Sequence, residues 1–143
     1  VSAAKLYTPE LLGLAVELAG HPPLTQATVR GEARSPTCGS TLMMDVGMDG
    51  DGRIERLGLR VHACAVGQAA AAIFARHAIG RDAADIGGAL QDLEDWLGGT
   101  GDLPDWPDLS LIEAAGGYPG RHGAILLPWR AALAALSSEA AAS

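Results

Sequence analysis

The sequence predicts an α+β domain, a three-stranded antiparallel sheet packed against several helices. Three observations lead there. Residues 27–33, 42–48 and 54–61 each place apolar side chains at alternating positions, the period of a half-buried strand. The second and third of these runs are joined by Asp49-Gly50-Asp51-Gly52, a hairpin turn sequence. The segments on either side carry helix punctuation instead. With 143 residues, of which 48% are hydrophobic, the chain is expected to form one domain over residues 1–143. Folding at this size buries roughly two-thirds of the extended-chain surface.

Thr8-Pro9-Glu10 opens the first helix, with Thr as N-cap, Pro at the first helical position and an acid in the first turn. Leu11, Leu12, Leu14, Val16 and Leu18 form its apolar side, and Gly20-His21-Pro22-Pro23 ends it. In the first strand Ala27, Val29, Gly31 and Ala33 alternate with Thr28, Arg30, Glu32 and Arg34. Ser35-Pro36-Thr37-Cys38-Gly39-Ser40 is a turn. Leu42, Met44, Val46 and Met48 make the second strand, and Ile54, Leu57, Leu59 and Val61 the third. Cys64 to Ala78 is Ala-rich and helical up to Gly80, and Asp82 caps a further helix through Leu97, stopped by Gly98-Gly99. Thr100 to Pro107 is loop, because Pro104 and Pro107 prevent regular structure. Asp108 is positioned to cap a short helix to Ala115. Arg121 to about Ala142 is the last helix, with Pro128 implying a late start or a kink. Trp96, Trp106 and Trp129 read as packing anchors.

Composition excludes several classes. A net charge of −7 argues against a nucleic-acid partner, which needs a basic face. No apolar run approaches the ~20 residues of a membrane span, so no membrane partner is expected and a cytoplasmic location is. In that compartment two cysteines point to reactive or metal-binding thiols rather than a structural disulfide.

Those two cysteines, Cys38 and Cys64, are the only thiols. Hairpin topology brings both to one end of the sheet. Cys64 falls where a strand pattern gives way to a helix pattern. Exposed N–H groups and the positive end of the helix dipole there favour thiolate, the form that binds metal and attacks sulfur.

In these residues the chain resembles the IscU/NifU-type family of iron–sulfur cluster assembly scaffolds, specifically its SufU-like branch. The matching pieces are Ser35-Pro36-Thr37-Cys38-Gly39, the Asp-Gly-Asp-Gly hairpin, Cys64-Ala65-x-x-Gln68-Ala69 opening a helix, and Pro119-x-Arg121 followed by Leu127-x-Trp129-Arg130-Ala131. They span most of the chain in the family's order. The resemblance implies a scaffold, not an enzyme, which receives sulfur from a cysteine desulfurase, takes up iron, and passes a cluster to apo iron–sulfur acceptor proteins.

The ligand set is degenerate. Where the family places an Asp two residues after the first Cys, this chain has Ser40, and at the family's third Cys it has Ala124, preceded by Gly123. Two histidines are candidate replacements: His122, two before Ala124, and His62, two before Cys64. Period-two alternation would put His62 and Cys64 on one face if the strand ran that far. Cys38, Cys64, His62 and His122 would then form a Cys₂His₂ set suited to Zn²⁺ or to a [2Fe–2S] centre of mixed ligation. A homodimer sharing one cluster would supply four thiolates instead. The competing function is a degenerate scaffold acting as a zinc-binding or desulfurase-binding regulatory module. A cysteine-nucleophile enzyme lacks an identifiable orienting acid.

His62 also reads simply as a polar strand-end residue. His21 and His77 carry no expected function, His77 complementing the dipole in a last helical turn. Asp49-x-Asp51-Gly52 is no calcium loop, since Arg60 stands where the bidentate Glu belongs. Ser40 has no nucleophile-elbow context.

Overall fold

A computed structural model describes residues 7–36 and 39–142, the last five of these by backbone alone. Helix α1 spans Pro9–Glu17, with the Thr8 hydroxyl accepting the Leu11 N–H at 3.1 Å. It buries Leu11 and Leu14 and tightens into a 3₁₀ turn over Leu18–Gly20. Strands β1 (Val29–Ser35), β2 (Ser40–Met48) and β3 (Ile54–His62) form one antiparallel sheet in that order. As the sequence predicts, Asp49 organises the β2–β3 hairpin: its carboxylate accepts the N–H groups of Asp51 and Arg53 at 2.9 and 3.0 Å.

Register fixes two different faces. Val29–Val46, Gly31–Met44 and Ala33–Leu42 pair across β1 and β2, and Met44–Leu59 and Leu42–Val61 across β2 and β3. On this inner face Leu42, Met44 and Val46 are fully buried. The outer face carries Arg30, Glu32 and Arg34 from β1, Thr41, Met43 and Asp45 from β2, and Gly58, Arg60 and His62 from β3.

Helix α2 (Ala65–His77) is buried almost all round, which explains its run of alanines: it packs on β3, α1 and the last helix. Helix α3 (Ala83–Leu97) starts with a capping box between Asp82 and Asp85. Helix α4 (His122–Ala142) lies over β1 and β2 and carries α3 on its other side. It runs through Pro128, whose missing N–H leaves the Ala124 carbonyl without its helical donor. At Gly31 a Cβ would strike the backbone of α4 at the Ala131 carbonyl and the Ala135 N–H, so α4 rests directly on β1.

One expected element differs. Asp108 does not cap an α-helix; a 3₁₀ segment, Leu109–Gly117, follows it. Asp108 is left-handed (φ 71°), and its carboxylate reaches His77 Nε2 at 2.7 Å and Arg76 at 3.1 Å instead of the following N–H groups. His77 is therefore half of a tertiary contact rather than only a charge at a helix end. The core centres on three rings. Phe74 and Trp106 stack at 5.3 Å, and Trp129 meets them edge-on at 5.5 and 5.3 Å. The Trp106 indole donates to the Ile73 carbonyl at 3.1 Å, and Arg81 lies 4.1 Å over its ring. Trp96 is only partly buried. No helix among the described residues is long and apolar enough to cross a membrane.

Candidate functional site

Ser35 pairs with Ser40, and Thr41 with His62, so the β1–β2 turn and the exit of β3 share one end of the sheet. The Gly39 N–H donates to the Ser35 carbonyl at 2.8 Å, and Gly39 takes a left-handed φ of 69° that suits glycine. Cys38 itself lies outside the described residues; its flanks Pro36 and Gly39 stand at this end.

Strand β3 stops at His62, and Cys64 is the N-cap of α2, in extended conformation (φ −65°, ψ 172°). The expected shared face of His62 and Cys64 therefore does not form. His62 is exposed at the outer-face end of β3, while Cys64 is half-buried against the core edge with a free thiol. Backbone bonding explains the change. The Gln68 side-chain amide donates to the Ala63 carbonyl at 2.9 Å, and the Gln68 N–H to the Cys64 carbonyl at 3.0 Å. Together they turn the chain into a helix one residue after the thiol. Cys64 makes no side-chain cap to the helix, so its sulfur is not used up as a capping acceptor.

The first turn of α4 completes the rim. Ala124 is fully buried, and a Cβ on Gly67 would come within 3.3 Å of the Ala124 methyl and 2.6 Å of the Ala63 methyl. Residue 124 thus packs on the first turn of α2, just past Cys64. A Cβ on Gly123 would collide with the Ser35 hydroxyl, which ties α4 to the end of β1. Ser40, at 4% exposure, is buried on the same face of β2 as Leu42. His122 Nε2 lies 2.7 Å from the Gly116 carbonyl. A carbonyl can only accept, so Nε2 is the donor here, and in the neutral ring Nδ1 is then the nitrogen available to a metal, as in an imidazole oriented by a backbone oxygen.

Among the described residues no three His, Cys, Asp or Glu side chains converge as a metal would need, so Cys64, His62 and His122 do not by themselves form a ligand set. Sequence reasoning missed the role of Gln68. It sits one place beyond the usual capping-box position, and a Gln in a first helical turn is the available signal.

The fold recurs in solved structures. A nitrogen-fixing NifU-like protein (N-terminal) from Brucella abortus superposes with a TM-score of 0.88 at 26% identity, covering 96% of each chain. In fold the chain is NifU/SufU-like. A candidate iron–sulfur cluster assembly scaffold for the SUF system from the thermophile Fervidobacterium islandicum AW-1 shares the fold, with a TM-score of 0.83 at 20% identity over 94% of this chain and 99% of that one. No protein-family profile and no curated protein matches the sequence. In this NifU-like fold the sheet end, the α2 N-terminus and the first turn of α4 are the three walls of the candidate site.

Proposed function

We propose that this protein is an iron–sulfur cluster assembly scaffold or carrier that holds iron, a cluster or persulfide sulfur at Cys38 and Cys64. One observation supports the reading: in a NifU-like fold, Cys64 occupies the N-cap position of α2 with its thiol free, at the sheet end where the β1–β2 turn closes. Sulfur enters by exchange. The Cys64 thiolate attacks the outer sulfur of a cysteine desulfurase persulfide; a new S–S bond forms at Cys64 and the desulfurase thiolate leaves, so no outside oxidant is consumed. Iron and the assembled cluster are cargo, for delivery to apo acceptor proteins in the cytoplasm. His122, oriented by its Nε2 contact to the Gly116 carbonyl, is the best-prepared additional donor, and His62 at the exposed rim is the second. A second chain would otherwise complete the coordination, as a homodimer.

Anaerobic incubation of the full chain with iron, cysteine and a cysteine desulfurase tests this. The expected result is charge-transfer absorbance that moves to an apo acceptor, is absent in Cys64→Ser and Cys38→Ser, and is weakened in His122→Ala and His62→Ala. Absorbance that survives both cysteine substitutions overturns the assignment.

The buried Ser40 and Ala124 favour a second reading, a desulfurase-binding or zinc-binding regulatory module. Stable zinc in the purified protein, with no cluster formed, decides for it.

A further inference from the structure

The outer face of the sheet is only half covered. The His21 carbonyl accepts the Leu59 N–H at the β3 edge, and the following chain crosses the face to β1. A Cβ on Gly58 would strike Pro22, Pro23 and Leu24. The Asp45 carboxylate accepts the Leu24 N–H and the Arg30 guanidinium, each at 3.0 Å, and Arg56 donates to the Gln26 carbonyl. The strap ends there. Toward the Cys64 end the rows Glu32–Met43–Arg60 and Arg34–Thr41–His62 remain open. Met43, at the centre of the central strand, is 42% exposed, and the Arg34 side chain 71%. Arg34 reaches Glu32 only at 3.7 Å, and Arg60 has no side-chain partner among the described residues.

Charge on this face runs against the rest of the molecule. The chain has ten basic and 17 acidic residues. In the open half Arg34 and Arg60 stand against Glu32 alone, while Arg30, paired with Asp45, and Arg56 belong to the half under the strap. A local cationic patch around an exposed thioether, on a protein of net charge −7, is complementary to carboxylates flanking an apolar side chain. A basic partner is repelled.

We propose that the open half of the outer face is a docking surface for an acidic segment of a partner protein, which seats an apolar side chain on Met43 between Arg34 and Arg60. The patch reaches the Cys64 end of the sheet through the pair Thr41 and His62. This surface does not depend on what the cysteines hold.

The test uses the ¹⁵N-labelled full chain and a short synthetic peptide of Glu and Leu, with a Lys-for-Glu counterpart as control. Expected are amide shift changes at residues 32–34, 41–43 and 60–62 that fade with added salt. Affinity should fall about tenfold in the Arg34→Glu/Arg60→Glu double variant and also in Met43→Ser, with thermal melting unchanged. Equal binding of the Lys peptide, shifts centred elsewhere, no binding, or a dimer protecting Met43 would each overturn the proposal.

Discussion

At Gly123 the absence of a side chain decides how the first turn of α4 meets the sheet. A Cβ there would occupy the space of the Ser35 hydroxyl and crowd its Cβ, and Ser35 is buried at 1% exposure. Alanine improves helix propensity by about 1 kcal/mol, but the steric conflict outweighs it. Gly123→Ala should destabilise the fold by about 1–2 kcal/mol net. Combining it with Ser35→Ala should cost less than the sum of the single changes, because that removes the colliding oxygen. Denaturant unfolding of the four proteins measures the coupling, and strict additivity would show that the two residues do not meet. Single residues were unevenly legible. The thiol of Cys64 and the candidacy of His122 followed from motif and spacing. The Gln68 amide on the Ala63 carbonyl and the His122 ring on Gly116 did not, because side-chain to backbone bonds depend on where the turn places each carbonyl.

At the element scale, the central event is α4 lying on β1. Gly31 permits it, since the atoms a Cβ would meet are backbone and cannot swing aside. Gly31→Ala should therefore cost about 3 kcal/mol. Gly13→Ala, in open space on α1, should add up to about 1 kcal/mol of stability. Urea midpoints of the two variants should move in opposite directions; a shared direction would refute this packing. Strand and helix positions were legible because a period of two and capping residues are local properties. The 3₁₀ segment Leu109–Gly117 was not, since Asp108 resembles a cap in sequence while its carboxylate is taken by His77 and Arg76. The end of β3 was legible to within a residue, since the strand pattern stops at Val61 and the helix pattern opens at Cys64.

Across the whole molecule, one ionic clasp joins distant parts of the chain. Arg76 at the end of α2 binds Glu17 at the end of α1 and Asp108 before the 3₁₀ segment, and His77 shares Asp108. The hydrogen bond from Arg76 holds Glu17 below its ordinary 4.5. Hydrogen bonds from His77 and then Arg76 hold Asp108 below its ordinary 3.8. Both native carboxylates bind protons less readily than in the unfolded chain. Their stabilisation is thus present above the ordinary values and is lost as pH falls through the native ones. Melting temperature should drop from about pH 5 toward about pH 3, and Asp108→Asn, which tolerates the left-handed backbone, should flatten that slope while lowering the neutral-pH value. An unchanged acid slope in the variant would remove the clasp from the account.

The sequence by itself determined the α+β class, the strand and helix order and the family likeness, because these rest on periodicity, capping and motif order along the chain. Tertiary structure alone decided that Cys64 and His62 do not share a face, that Ser40 and Ala124 are buried, and that one half of the sheet's outer face stays bare. Each of those depends on which backbone groups meet across the fold, and that pairing is not written in any local stretch of residues.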